Sequence, residues 1–236
     1  MKRLLASLIH GLILLGVPVL LLIVSVRLIM TPQWLSFEYT RAGFPSDSYG
    51  FSTQDRLTYG VLGVEYLLNS AELDFLAQRR LPAALCYPPS RIDCPMFNPS
   101  ELRHMLDVKN VVQASFALAL LWAGILLLAI LYQGRTTTGV IALLNACLQG
   151  SLLTLASIVF IVLFALIACD AFFDSFHALL FEAGTWQFFY SDTLIRLYPE
   201  QFWFDSALLL GALTTSGALV ILIVTVILRV RYLSRN

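Results

Sequence analysis

Four apolar runs, each long enough to cross a bilayer, leave this chain few ways to fold: Leu4 to Met30, Val111 to Tyr132, Gly139 to Ala168 and Ser206 to Leu228. Runs of about 18 or more such residues read as membrane spans. Inside lipid a spanning segment must satisfy its own backbone hydrogen bonds, which helices do. Composition agrees, with 58% hydrophobic and 13% charged residues, where soluble domains carry about 25% charged. The expected fold is an all-α integral membrane protein, a single membrane domain over 1–236. Its four transmembrane helices fall at about 4–30, 111–132, 139–168 and 206–228, joined by long connectors at 31–110 and 169–205.

The distribution of charge orients the spans. Residues 1–3, the 133–138 connector and the tail from Arg229 carry Lys2, Arg3, Arg135, Arg229, Arg231 and Arg235 and no carboxylate. All 15 Asp and Glu residues lie in 31–110 and 169–205. The positive-inside rule then places both termini in the cytoplasm and both long connectors outside, where their amphipathic helices form a cap. The first span reads as a retained anchor, since it exceeds a signal h-region and no small-x-small cleavage site follows. Pro18 is expected to kink it.

The connectors carry their own punctuation. Thr31 to Gly50 is rich in Pro, Gly, Ser and aromatics, with Trp34, Phe37 and Tyr39 suited to headgroup depth. Ser52 with Asp55 resembles a capping box, and Leu57, Val61, Val64 and Leu68 follow at helical spacing, so an amphipathic helix is expected over 52–69. A short helix follows at about 71–80. In CYPPSRIDC the spacing of Cys86 and Cys94 suits a disulfide closing a small Pro-containing loop, and the alternative is two free thiols. Cys147 and Cys169 read as small packing residues. Asn98 as N-cap, Pro99 at the first helical position and Glu101 three residues after the cap start a helix that meets no Pro or Gly before Gly124. His104 would then stand roughly 10 Å above the first apolar turn at Val111. The third span is expected to continue past Ala168 into CDAFFDSFHALLFEAG, ending at Gly184, with Asp170, Asp174 and His177 on one face. Asp205 is expected to cap the fourth span.

The chemistry concentrates on two of three histidines. His10, inside the first span, reads as structural. His104 and His177 each lie at the outer end of a span with carboxylates at helical spacing, and the short QGRTTT connector makes those spans antiparallel neighbours. Such a pair suits general acid–base work. A histidine can take a proton and return it, while a carboxylate on its other nitrogen fixes the tautomer. Asp107 or Glu101 is a partner for His104, and Asp174 for His177. The same groups are also compatible with a metal, although His-x-x-x-His and Cys-x-x-Cys spacings are absent and Glu-x-x-His occurs once. They are equally compatible with polar groups that merely tie the connectors together. No nucleophile elbow and no Gly-rich phosphate loop occurs.

Glu101-Leu-Arg103-His104-Met-Leu-Asp107-Val-Lys109 resembles the E-x-x-H-M-x-D-V motif of the bacterial lipoprotein intramolecular transacylases, Lit. Phe176-His177, Trp186, then Asp192-Thr-Leu-Ile and Pro199-Glu200-x-Phe202 resemble that family's F-H…W…D-T-L-I…P-E-x-F pattern. Ser48 to Ser52 and Glu65-Tyr66-Leu67 are also similar, and the resemblance spans nearly the whole chain. The Cys86–Cys94 loop lies outside the pattern.

The resemblance implies an acyltransferase of the bacterial cytoplasmic membrane that needs no cofactor. Its substrate would be a lipoprotein whose N-terminal cysteine carries a diacylglyceryl thioether. The sn-2 acyl chain moves to the cysteine's α-amino group and gives the lyso-form. His104 is expected to be the base and His177 to polarise the ester or protonate the sn-2 oxygen. Asp107, Glu101, Asp174 and Asp192 would orient or support them, with Arg103, Lys109 or Arg196 supporting the oxyanion. Membrane lipids are the other partners, and nucleic acid is not expected. Two other classes stay open on the sequence: a metal-dependent outer-face hydrolase, and a non-enzymatic lipid- or partner-binding membrane protein.

Overall fold

The computed structural model describes residues 2–89, 93–182 and 184–234, with backbone alone at 2, 3, 169, 170 and 172. The side chains of Lys2, Arg3, Cys169 and Asp170, and all of Arg235, therefore lie outside the described residues. The helices are α1 (Lys2–Ile29), α2 (Pro32–Thr40), α3 (Thr53–Leu68), α4 (Asp74–Ala77), α5 (Pro99–Gln133), α6 (Thr137–Ile167), α7 (Cys169–Leu180), α8 (Thr193–Leu197) and α9 (Glu200–Leu233). The fold is all-helical; among the described residues the only β-pairing is an isolated bridge between Arg80 and Pro95. Among the described residues, helices α1, α5, α6 and α9 are the 4 long and apolar enough to cross a membrane. The chain divides into two compact units, one of residues 1–28, 115–172 and 208–236, the other of 29–114 and 173–207.

The first unit packs apolar helices closely. Ile9, Ile13, Ala129, Leu143 and Ala146 form its buried cluster. Gly150 of α6 lets α1 approach, since a Cβ there would lie 2.8 Å from Val17 Cβ. Small residues at such crossings are how membrane helices gain dispersion contacts where lipid offers no hydrophobic driving force. Two polar ties cross between its helices. Trp122 Nε1 donates to the Leu12 carbonyl at 3.1 Å, and His10 Nε2 lies 2.8 Å from Gln149 Oε1. Helix α1 runs through Pro18 as one helix.

The second unit is built from caps and buried polar ties. Thr31 accepts from the Trp34 amide and Pro32 opens α2, a helix that the Pro- and Gly-rich composition hides. Ser52 and Asp55 close a reciprocal capping box on α3, as their spacing predicts. Glu101 Oε2 accepts the Asn98 amide at 2.7 Å and Asn98 Oδ1 the Glu101 amide at 2.9 Å, so α5 starts where the sequence expects. Cys86 and Cys94 form a disulfide. The core gathers Leu35, Tyr39, Tyr66, Leu76, Met96, Phe97, Met105, Leu197, Tyr198 and Phe202. Tyr39 Oη donates to the Leu197 carbonyl at 2.7 Å, and Tyr198 Oη to that of Gly60.

Several expectations need correction. Helix α4 is one turn, Asp74–Ala77, in place of a helix over 71–80. Helix α6 stops at Ile167, where Ala168 leaves helical geometry at φ −144°, ψ 61°, and α7 starts afresh; α7 ends at Leu180, well before Gly184. Asp205 does not cap the last span. Helix α9 begins at Glu200, and the Asp205 carboxylate pairs with Arg41, whose Nε also holds Glu38 at 3.0 Å.

The main electrostatic tie is Arg196. Its side chain is 1% exposed and its Nε lies 3.1 Å from Asp47 Oδ2, itself 3% exposed. Nη1 donates to the Leu85 carbonyl at 3.2 Å and Nη2 to that of Tyr49 at 3.0 Å. Arg56 Nε donates back to the Arg196 carbonyl at 2.8 Å. Removing one partner of such a pair leaves an uncompensated buried charge, at about 3–5 kcal/mol. Arg196→Met should therefore lower the thermal midpoint of the purified protein markedly, more than Arg103→Met at an exposed pair. Equal midpoints for the two variants would contradict this.

Candidate active site

His104 sits on the second turn of α5, before the apolar stretch that begins at Val111. Helix α5 is 35 residues long, about 52 Å at 1.5 Å per residue, well beyond a bilayer core of about 30 Å. The His104 ring packs edge-on against Phe181 at 4.9 Å and Phe188 at 5.4 Å. Its Nδ1 is buried and has no hydrogen-bond partner among the described residues. Burial pushes its pKa from 6.5 down to about 4; the charge of His177 acts in the same direction and that of Asp107 opposes it. His104 is a neutral ring at pH 7.

His177 lies on α7 inside an aromatic wall. Phe173 is 4.1 Å away, Trp186 stacks at 4.7 Å with an interplanar angle of 28°, and Phe176 and Phe181 stand at 5.3 and 6.0 Å. Phe181 thus contacts both histidines. His177 Nδ1 lies 2.8 Å from the Phe173 carbonyl one turn back. A carbonyl only accepts, so Nδ1 carries the hydrogen, and in the neutral ring Nε2 holds the free lone pair. Trp186 Nε1 is also buried with no partner among the described residues.

The other candidates separate from this pair. Asp107 is half-buried and acts on His104 by its charge. Glu101 is built into the scaffold, with Oε1 accepting the Leu194 amide at 2.6 Å and Oε2 that of Asn98. Asp174 is exposed on α7, and a backbone carbonyl takes the place expected for it at His177 Nδ1. Asp192 accepts from Asn98 Nδ2 at 3.1 Å and from the Phe189 amide at 2.9 Å. Arg103 forms an exposed ion pair with Glu182 at 2.6 Å. Lys109 is buried over the Tyr66 ring at 4.0 Å and donates to the Ala71 carbonyl. Arg196 serves Asp47 and two carbonyls. Among the described residues no three His, Cys, Asp or Glu side chains converge into a metal-donor set. Trp186, Phe181 and Phe188 are not among the expected site residues; Trp186 belongs to the family-like pattern, and the signal for the other two is the aromatic density of residues 181–190.

Fold and site together define a multi-pass, all-helical membrane protein with a histidine pair in an aromatic enclosure. The chain matches the family described as lipoprotein intramolecular transacylase Lit over residues 11–203, and it belongs to that family, whose members are acyltransferases. It is 28% identical over 206 residues, 84% of this chain and 83% of the other, to an uncharacterized protein of Aquifex aeolicus (strain VF5). Its fold is that of the in meso structure of the membrane integral transacylase Lit from Bacillus cereus, with TM-score 0.69, 18% identity and coverage of 98% of this chain and 97% of that one. A structure of the same protein with a histidine replaced by arginine matches with TM-score 0.70 at 18% identity, over 100% of this chain and 96% of that one.

Protonation of His104 is coupled to folding. The unfolded chain takes up a proton near pH 6.5 that the fold resists until about pH 4. The associated stability is present above 6.5 and is lost as pH falls toward 4. The thermal midpoint of the wild type should therefore drop more steeply between those pH values than that of His104→Gln. Parallel curves would refute the shift.

Proposed function

We propose that this protein transfers the sn-2 acyl chain of an S-diacylglyceryl N-terminal cysteine to that cysteine's own α-amino group, giving lyso-form lipoprotein. The observation that carries this reading is the pairing of His104 and His177 on Phe181, in a chain that belongs to the transacylase family. Charge layout supports cytoplasmic termini and connectors 31–110 and 169–205 forming one extracytoplasmic cap on a single membrane domain of the cell membrane. The site would face outwards, where lipoprotein and membrane lipids meet.

Aminolysis of an ester needs a neutral amine, a base for its proton and a proton for the departing alkoxide. We assign the base to His177, because its Nδ1 is committed to the Phe173 carbonyl and Nε2 is left to accept. This reverses the division expected from sequence. A ring held at a pKa of about 4 is a weak base near neutrality. Such a ring suits His104 to the role of a neutral hydrogen-bonding group at the sn-2 oxygen. The amine nitrogen attacks the sn-2 ester carbon, the C–N bond forms, and the C–O bond to glycerol breaks. The proton that His177 takes from the amine returns to the glycerol oxygen, so no external reagent is consumed. Asp107 supports His104 through its charge, while Glu101, Asp192 and Arg196 hold the frame. Both reacting groups belong to one molecule, so positioning supplies much of the rate.

The product is isomeric with the substrate, so the assay is a tandem mass spectrum of the N-terminal lipopeptide, read for the N-acyl fragment. His104→Ala and His177→Ala should each reduce it by about 10²–10⁴-fold. Undiminished N-acyl product from either variant removes that histidine from the mechanism.

A further inference from the structure

An ester under attack places negative charge on its carbonyl oxygen, and a preorganised donor aimed there is often the largest single contribution to rate. The three cations that the sequence offers for this work are engaged elsewhere. Arg196 is buried against Asp47 and two carbonyls. Lys109 lies over Tyr66 and donates to Ala71 and Asn69. Arg103 is exposed and paired with Glu182.

One donor beside the histidines stands apart from these. Trp186 Nε1–H is buried and unpaired among the described residues, although a buried indole N–H ordinarily finds an acceptor. Its ring stacks on His177 at 4.7 Å and 28°, and Phe173 meets it edge-on at 5.7 Å. Phe173 therefore serves twice, since its carbonyl fixes the His177 tautomer and its ring abuts Trp186. The indole N–H lies in the indole plane, nearly parallel to the imidazole. The unpaired donor thus sits on the ring stacked against the imidazole to which the transacylase reading gives the amine proton. An ester carbonyl oxygen that takes up this unpaired donor would do so at about 3 Å.

We propose that Trp186 is a catalytic residue whose Nε1–H donates to the sn-2 carbonyl oxygen as it becomes an oxyanion. The proposal rests on the transacylase reading above. A neutral indole suits an enclosure that also holds a base, because it stabilises the oxyanion without adding a positive charge beside the protonating imidazole. The same ring stacks on His177, so the N–H and the base are held side by side.

The test uses the full-length protein in lipid-doped micelles with a synthetic S-diacylglyceryl cysteine peptide, followed by the N-acyl fragment. Trp186→Phe retains a ring on His177 and removes the N–H. Replacement by benzothienylalanine keeps the bicyclic shape and removes the N–H alone, and serves if the Phe variant does not fold. Expected is a fall in kcat of about 10²–10³-fold with KM and the pH profile of kcat/KM unchanged. A rate like that of the wild type overturns the proposal. So does a fall accompanied by a displaced pH profile, which would mean that the indole acts only through His177. A wild-type protein that makes no N-acyl product at all overturns the transacylase reading and this proposal with it. An active wild type with an equally active benzothienylalanine variant overturns this proposal alone.

Discussion

The second unit depends on a guanidinium that has nowhere else to put its charge. Arg196 is almost completely buried, and burial of a charge without partners costs several kcal/mol. Its planar fork therefore needs acceptors on several sides. They come from far along the chain: Asp47, the carbonyls of Tyr49 and Leu85, and the face of Phe51 at 3.6 Å. Closing those loops fixes α8. The Leu194 amide near the start of α8 then meets Glu101, whose other oxygen caps α5. His104 lies on the second turn of that helix. A tie made for stability thus sets the position of a ring to which the proposed reaction gives a part.

The same arrangement keeps most of the charge away from the histidines. Glu101, Asp192, Arg196 and Lys109 each bind the scaffold, and the surroundings of His104 and His177 are largely aromatic. A carbonyl, not a carboxylate, fixes the His177 tautomer. A carboxylate there would stabilise the imidazolium more strongly and hold back the proton that the departing oxygen needs. A neutral acceptor orients the ring without that penalty. The apolar walls lower the local dielectric, so any single dipole inside them counts for more than it would in water.

What the sequence reveals and what it hides divides by range. The capping boxes at Ser52 and Asn98 involve residues three apart and are legible, as are the four long apolar helices. The break at Ala168 is not legible, because no Pro or Gly marks it. Helix α2 is masked by a composition that also suits a loop. Asp205 has the look of an N-cap, yet α9 begins five residues earlier and its carboxylate is held by Arg41. Helical spacing identifies which carboxylates share a face with a histidine. It cannot say that a backbone carbonyl will reach Nδ1 first, or that Glu101 will be claimed by an amide 93 residues away. Both histidines are legible as a pair; the separate parts proposed for them rest on hydrogen bonds that only the fold creates.

An aromatic enclosure suits a reaction whose two partners arrive already joined. A bimolecular transfer would need charged groups to capture a second substrate. An intramolecular one needs the chain of atoms between amine and ester to be folded back on itself and water kept away. Packed rings can do both, since they restrict conformations by shape and exclude water by their surface. Water is the competing nucleophile, and its attack on the same ester would release a free fatty acid in place of an amide. Phe173, Phe181, Phe188 and Trp186 would on this view decide which nucleophile succeeds, while the two histidines set how fast.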